Sequence, residues 1–402
     1  MFLINRNFRL LWFGQSISQL GDKAYNIALM WWLFEKTASP LYISSFLIAS
    51  MLPELIFGPV AGVYIDRWDK KKILVAADFV RGIAVLLLAV LYLADVLAIW
   101  HIYSAALCIS LCSALFNPAT MAVIPAVVEK AELRQANALS QLVAGAVAVI
   151  GPLVGASSVA LLGYAGVLVF NGCSYMISGL AAAFLRMRKT GAAAKEPVCS
   201  ALLQGLRYIR RDPRIVVVVI IVAVIHVFVG AMVVVMPFLA GSLTGGINSL
   251  GVLQAALGGG MIAGAVYVSR FSGERLAGSS LFCAIMVMGA GIAALGVLQF
   301  LRSDAVEVYA GCCLIIGMCV AVVSVFWRTI AQTCVAAEMT GRVFSVLSTT
   351  GNITLPVSIG LFGVILHYAA PAFLLSFAGI CLVLIGIVLL ISSRTMFENL
   401  QQ

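Results

Sequence analysis

Residues 62–72 read "GVYIDRWDKKK", and the position of this stretch between two apolar runs decides the fold. Gly62 is followed four positions later by Asp66-Arg67, and three lysines stand at 70–72. Each flanking run is long enough to cross the hydrocarbon core of a bilayer as a helix, which takes about 20 residues. The stretch is therefore expected to be a charged loop between two membrane-spanning helices, with its basic residues at the lipid headgroups.

The composition extends this interpretation to the whole chain. The 402 residues are 63% hydrophobic and only 10% charged, with a mean hydropathy of +1.10. A soluble domain averages about 25% charged residues, so this chain cannot cover its surface with polar groups. Because long apolar runs in lipid satisfy their backbone hydrogen bonds as helices, we expect an all-α membrane protein. The first apolar run is a full span without a small-residue cleavage site, so no cleavable signal peptide is expected.

The apolar runs predict twelve transmembrane helices in two six-helix bundles. We expect a bundle over 1–188, a cytoplasmic linker over 189–213 and a second bundle over 214–402. Within the linker, about 199–211 has a helical apolar pattern and is expected to lie along the membrane surface. Two six-helix halves suit a duplicated transporter with its substrate path between the halves. The predicted spans are 8–34, 41–64, 73–94, 98–124, 137–161, 164–185, 214–239, 248–270, 277–300, 305–328, 343–367 and 372–393.

The basic residues set the expected orientation. With a cytoplasmic N-terminus, Lys36 and Arg302 fall outside and Lys23 falls within the membrane. The other 22 of the 25 Lys and Arg residues fall in cytoplasmic loops, termini or helix ends. A multi-pass protein of the inner (plasma) membrane with both termini in the cytoplasm is therefore expected. Because the charges are spread over many short loops, the net charge of +9 does not indicate nucleic-acid binding.

The first span carries a narrow polar stripe. At about 100° per residue, Gln15, Gln19, Asp22 and Asn26 fall within about 60° of one another. A charged residue at the centre of a membrane helix costs about 2.5–3.5 kcal/mol, so the stripe is expected to face a polar interior. Lys23 lies off the stripe, where it could pair with a carboxylate of another helix. A buried pair that only fixes packing is the alternative.

The second span adds another acid within the membrane. Glu54 follows Pro53 in "MLPELIFGPVAG", and proline can kink the helix at that point. Two acids on adjacent helices in a cavity of low dielectric are expected to exchange protons near neutral pH. Asp22 and Glu54, with Lys23, are therefore the predicted proton-coupling residues. Alternatively, Glu54 hydrogen-bonds a neighbour and does not titrate.

Several stretches together resemble the major facilitator superfamily over essentially the whole chain. Gly62, Asp66, Arg67, Lys70 and Lys71 are similar to its signature loop, in which a second glycine stands where this chain has an aspartate. Gly151, Pro152 and Gly155, in "GAVAVIGPLVG", resemble the Gly-Pro motif of its antiporters. Further matching stretches are "NRNFRLLWFGQSISQLGD", "AADFVRG", "FNPATMAVIPAVV", "LRQANALSQ" and "GRVFSVLS". The resemblance is closest to drug:proton antiporters of the macrolide-efflux and siderophore-exporter type.

The resemblance implies the major facilitator fold and alternating access. It also implies export of amphipathic small molecules, such as macrolide-type drugs or siderophores, driven by proton entry. A monomer with no cofactor is expected, in contact with its substrate, protons and membrane lipid. Many such antiporters carry an arginine in the fourth span, but that span has none here, and Lys23 is the candidate substitute.

Five further polar residues of the spans are candidates for lining a substrate cavity: Gln141, Asn171, His226, Gln254 and Asn352. A lone histidine in the seventh span suits a hydrogen-bonded structural group, yet it keeps a metal-ion exporter of the same fold open. A lipid or lysolipid flippase and a membrane receptor also remain open. The ten cysteines have no histidine or carboxylate placed to complete a ligand set, so no metal site is expected. No motif of a nucleotide-binding or hydrolytic enzyme is present, so an enzyme is not expected.

Overall fold

A computed structural model describes residues 4–65, 68–186, 198–271, 277–336 and 339–398. These residues form α-helices joined by short connections and one turn of 3-10 helix, Lys130–Glu132. The α-helices are α1 (Arg6–Thr37), α2 (Pro40–Ile65), α3 (Lys70–Leu93), α4 (Ile99–Val127), α5 (Leu133–Ala183), α6 (Val198–Ile209), α7 (Pro213–Gly241), α8 (Ile247–Phe271), α9 (Ala277–Phe300), α10 (Val306–Cys334), α11 (Thr340–Tyr368) and α12 (Pro371–Glu398).

The chain crosses the membrane twelve times, as the sequence predicts: α5 crosses twice, and each of the other helices except α6 crosses once. Among the described residues, ten helices are long and apolar enough to span a bilayer by composition alone. The count rises to twelve because α5 contains two crossings and because α1, 32 residues long, spans despite its charged residues. The amphipathic α6, with 12 residues, is too short to cross.

The two crossings of α5 meet at Gly163. This residue has φ 68° and ψ 178°, a backbone conformation that is essentially restricted to glycine. The glycine therefore turns the chain between a first arm, residues 133–162, and a second arm, residues 164–183. This position confirms the boundary predicted between the spans 137–161 and 164–185.

The helices form two compact units, Met1–Lys195 and Glu196–Gln402. In unit 1, α1 and α3 pack on α5, α2 packs on α4, and α3 packs on α4. In unit 2, the helices at corresponding positions pack in the same way: α7 on α11, α9 on α12, α8 on α10, and α9 on α10. The packing therefore repeats between the two halves, although residue-level similarity between them is weak in the sequence.

The boundary between the units falls inside the predicted linker 189–213. Residues 187–197 lie outside the described residues, whereas α6 is described and belongs to unit 2. It packs against the start of α11, where a Cβ added to Gly205 would lie 2.5 Å from the carbonyl oxygen of Arg342. The Tyr208 hydroxyl also accepts a hydrogen bond of 3.2 Å from the Ala336 amide. Contact with α11 therefore holds this helix in place.

Two aspartates cap helices at the ends of charged loops. The Asp69 carboxylate accepts hydrogen bonds from the amides of Lys71 and Lys72 at 3.0 and 3.5 Å and caps α3. Asp212 caps α7 in the same way, accepting from the Arg214 amide at 2.9 Å. The aspartate that departs from the superfamily signature is thus a helix cap, which satisfies amides that would otherwise lack partners.

The other residues of the signature loop are only partly described. Gly62 lies in the last turn of α2, and Lys70 and Lys71 lie in the first turn of α3. Asp66 and Arg67 lie outside the described residues. What the resemblance implies for these two residues therefore stays a prediction.

Candidate functional site

Asp22 lies at the contact between α1 and the second arm of α5. Its Oδ1 accepts a hydrogen bond from the hydroxyl of Tyr175, which is 1% exposed. The buried Asn171 lies beside the same carboxylate. Gly21 permits this arrangement, because a Cβ there would lie 2.5 Å from Asn171 Oδ1 and 2.6 Å from Ser174 Oγ. The glycine next to the acid therefore lets polar groups of α5 reach the α1 backbone.

A second carboxylate and an arginine lie on α3 in the same interior. Asp78 is 0% exposed and Arg81 is 4% exposed, and one helical turn separates them. The Arg81 guanidinium pairs with Asp78 Oδ1 and lies 4.0 Å from the ring centre of Phe116 and 4.6 Å from that of Tyr175. Tyr175 therefore touches Asp22 through its hydroxyl and Arg81 through its ring. The four polar side chains Asp22, Tyr175, Arg81 and Asp78 are called the α1–α3–α5 cluster below.

Three buried polar atoms at this cluster have no hydrogen-bond partner among the described residues. They are Tyr25 Oη, Asp78 Oδ2 and Asn171 Nδ2. Buried polar groups in proteins are generally hydrogen-bonded to protein or to ordered water, so these three atoms can each take a further partner. Asp78 Oδ2 can accept a further hydrogen bond, and Asn171 Nδ2 can donate one beside Asp22.

Arg81 corrects the predicted charge distribution. The sequence predicts it among the basic residues of loops and helix ends, but it lies twelfth in a helix of 24 residues and is buried. A guanidinium so far from a helix end cannot reach the headgroups, so it is held by an acid and two rings instead. The sequence feature that predicts a buried pair is "DFVR", in which an acid and a base stand three residues apart inside an apolar run. At that spacing the two side chains share one face of a helix.

Glu54 is held by a separate set of partners. Its Oε1 accepts a hydrogen bond of 2.6 Å from Asn117 Nδ2 of α4, and its backbone amide donates to Ser110 Oγ at 3.1 Å. Glu54 is half-buried. The structure therefore ties Asp22 to α3 and α5, whereas it ties Glu54 to α4.

Lys23 lies on a different side of α1 from the cluster. It is exposed within unit 1, and among the described residues its ammonium forms no ion pair with a carboxylate. Its stem packs on the first arm of α5, where a Cβ at Gly151 would lie 2.8 Å from Lys23 Cβ. One turn further on, a Cβ at Gly155 would lie 2.9 Å from Ala24 Cα. Together with the buried Pro152, these glycines let α5 approach α1 closely.

The polar stripe of α1 does not converge on one place. The Gln15 amide donates to Thr120 Oγ1 of α4 at 3.2 Å, and Gln19 is half-buried. Asn26 is exposed and its amide donates to the Asp22 carbonyl at 2.8 Å. Gln141, on the first arm of α5, is also exposed. Of the candidates in unit 1, Asn171 is the one brought to Asp22.

The candidates of unit 2 are spread over three helices. His226 Nδ1 lies 2.7 Å from the Val222 carbonyl oxygen, and the ring packs against Gly351 of α11. Gln254 on α8 is half-buried and Asn352 on α11 is exposed. His226 is thus a hydrogen-bonded packing residue of the α7–α11 contact. In the part of the chain that the structure describes, no three His, Cys, Asp or Glu residues are grouped as metal ligands would be.

An open cavity of about 1150 Å³ lies at one end of unit 1. Two acids and one lysine line it, namely Glu35, Asp95 and Lys36. Glu35 is fixed by the Trp31 indole at 2.7 Å and the Tyr164 hydroxyl at 2.5 Å. Six aromatic side chains complete the lining: Trp32, Tyr42, Tyr92, Trp100, Tyr103 and Tyr164. The cavity offers apolar faces with a small number of polar groups, which is typical of sites for amphipathic molecules.

The sequence profile of the transmembrane secretion effector family matches residues 2–401, and the chain belongs to that family. With the fold and the relatives below, this identifies an efflux-type transporter of the major facilitator superfamily.

Relatives and solved structures agree with this class. Macrolide efflux protein A of Streptococcus pyogenes is 23% identical over 356 residues, which cover 88% of this chain and 87% of that protein. The putative bacilysin exporter BacE of Bacillus subtilis is 24% identical over 361 residues, covering 88% and 87%. The crystal structure of a bacterial homologue of the iron transporter ferroportin has a TM-score of 0.75 at 15% identity, covering 96% of this chain and 98% of that one. At this identity the structure shows the likeness of fold alone.

Proposed function

We propose that this protein exports amphipathic small molecules across the inner membrane in exchange for protons, by alternating access of its two units. The observation that carries the proposal is the charged α1–α3–α5 cluster inside an efflux-type transporter. Each charge within a membrane costs about 2.5–3.5 kcal/mol, and such residues generally mark ion or substrate pathways. The cluster holds two acids and one arginine, and packing of the helices alone requires no charged side chain there.

Asp22 and Glu54 are the proposed proton carriers. A membrane potential of 100 mV supplies about 2.3 kcal/mol for each charge that crosses, which corresponds to about a fifty-fold concentration ratio. Export follows if proton and substrate compete for the same state of the transporter. Protonation of either acid would then favour substrate release, and substrate binding would favour proton release.

The proposed substrates are weakly polar molecules, of the kind that the name macrolide efflux protein A indicates for that relative. Macrolide-type drugs are the first class to test, and siderophores are the second. The uncharged Gln19, Gln141, Gln254 and Asn352 are proposed to line the path. Lys23 is proposed to face the same path, because an exposed ammonium in mid-membrane is far costlier in lipid than in a polar cavity.

The signature loop is proposed to control the conformational change. By resemblance, Gly62, Asp66, Arg67, Lys70 and Lys71 stabilise the state that is closed to the cytoplasm. The termini and the segment around 189–213 are proposed to lie in the cytoplasm, which follows from the basic residues near the helix ends. Cysteine labelling from outside intact cells tests this, and labelling of Cys199 by an impermeant reagent would contradict it.

The export function is tested by accumulation of tritiated erythromycin in cells that lack their own efflux pumps. Expression of this chain is expected to lower accumulation, and a protonophore is expected to abolish the difference. Cells that express Asp22→Asn or Glu54→Gln should accumulate as much drug as cells without the transporter, provided that each variant is as abundant in the membrane as the wild type. Lowered accumulation that a protonophore does not affect would refute proton coupling. No effect for macrolides, siderophores or fluorescent lysolipids would refute export of these classes.

A further inference from the structure

We infer that Asp22, Asp78 and Arg81 form one proton-binding site, in which Asp22 holds a single proton while Arg81 is paired with Asp78. The inference rests on the proposed function, because it names the groups that hold the transported proton. Asp78 and Arg81 are positioning residues: they set where the proton resides. The step forms one O–H bond at the Asp22 carboxylate and breaks one O–H bond of the hydronium ion that delivers the proton, which leaves as water.

The charge of the cluster carries the argument. Two carboxylates and one guanidinium give a net charge of −1 when both acids are ionised. An uncompensated charge in a protein interior costs more free energy than a set of charges that cancel. One proton makes the cluster neutral, and a second would leave Arg81 without an anionic partner. The composition of the cluster therefore favours one bound proton.

Outside the cluster, Lys23 is the charged group that acts on Asp22. The other titratable side chains near the cluster are phenols and thiols, namely Tyr25 on α1, Tyr175 on α5, and Cys108 and Cys112 on α4. Lys23 neighbours Asp22 in sequence, but its side chain is exposed and packs on Gly151. Arg81 is therefore the cation available to both acids.

The pairing seen in the structure decides which acid holds the proton. Arg81 contacts Asp78, so Asp22 is the carboxylate without a cation, and it receives only the Tyr175 hydroxyl and lies beside Asn171. Loss of the proton from Asp22 would draw the guanidinium toward it along the face of the Tyr175 ring, which already touches both groups.

The test is an infrared pH titration of the purified full-length chain in proteoliposomes, which needs no substrate. The signal is the carboxylic-acid C=O band that is lost in Asp22→Asn. An opposite charge within about 4–6 Å of a carboxylate shifts its titration midpoint by about 1–3 pH units. We expect the midpoint to move down by about that amount in Asp78→Asn, because Arg81 is freed to pair with Asp22. In Arg81→Gln it should move up by a similar amount.

The double variant Asp78→Asn/Arg81→Gln removes one charge of each sign and should return the midpoint close to that of the wild type. Asp212→Asn is the matched control: it breaks the ion pair of Asp212 with Arg214 and should leave the titration midpoint of Asp22 unchanged. If Arg81→Gln does not fold, Arg81→Lys and Asp78→Glu keep the charges and should keep the midpoint. Shifts of the same sign in both single variants, no shift, or no band sensitive to Asp22 would overturn the inference. A normal titration with no drug-linked proton flux would instead refute the proposed function.

Discussion

Replacing Gly155 by alanine tests whether α1 and the first arm of α5 must approach closely. The added Cβ would lie 2.9 Å from Ala24 Cα and 3.3 Å from Ile27 Cβ, and the first of these is backbone that cannot rotate away. Overpacking of this kind costs about 1–3 kcal/mol. The helix is then forced away from α1 at a point two residues from Asp22. We therefore expect a less stable protein in which the contact of Asp22 with Tyr175 is weakened.

The assay is the apparent melting temperature of purified protein in detergent. For a unit of this size, about 1–3 kcal/mol corresponds to a decrease of roughly 2–12 °C. Gly145→Ala is the matched control on the same arm, because a Cβ there meets nothing within 4 Å. In an open helical position, alanine is favoured over glycine by about 0.5–1 kcal/mol, so the control should be unchanged or rise by about 1–4 °C. Equal changes in the two variants would refute the close-approach argument.

Three further predictions concern a turn, a cap and an acid. Gly163→Ala should lower stability by about 1–3 kcal/mol through backbone strain, and a melting temperature equal to the wild type would contradict the turn. Hydrogen bonds from Arg214 hold the pKa of Asp212 below its usual value, so Asp212→Ala should cost about 0.5–2 kcal/mol at neutral pH. That difference should begin to shrink as the pH falls below about 4 and should be lost only below the lowered pKa of Asp212, and a difference independent of pH would contradict the cap. Asn117→Leu should remove the hydrogen bond to Glu54 and move the pH profile of export to higher pH, and an unmoved profile would show that Glu54 is not a proton carrier.

The fold could be predicted from the sequence because lipid leaves few alternatives. Apolar runs must be helices, and their ends are marked by charges, by Gly163 and by capping aspartates, so the predicted spans agree with the helices to within a few residues. The exact bounds of α10 could not be predicted, since its last turn, ending at Cys334, continues past the apolar run. Packing with other helices of unit 2, rather than composition, determines that end.

The site could be predicted only in part. The stripe on α1 indicated Asp22 because a single helix determines which residues share a face. Its partners come from α3 and α5, and the sequence of one chain does not show which helices meet. The sequence therefore predicts Arg81 among the basic helix ends, and it offers Lys23 as the substitute for the arginine that is missing from the fourth span. The cluster depends on tertiary contacts that the repeated packing of the units creates.

The most direct test of proton-coupled export at Asp22 is to measure both fluxes in one preparation. Proteoliposomes that contain the full chain and a trapped pH indicator receive tritiated erythromycin, with and without an imposed proton gradient. The account predicts drug movement against its gradient with protons moving in the opposite direction, and the loss of both in Asp22→Asn while drug binding persists. Uphill drug transport with unchanged proton movement in a well-folded Asp22→Asn protein would contradict it.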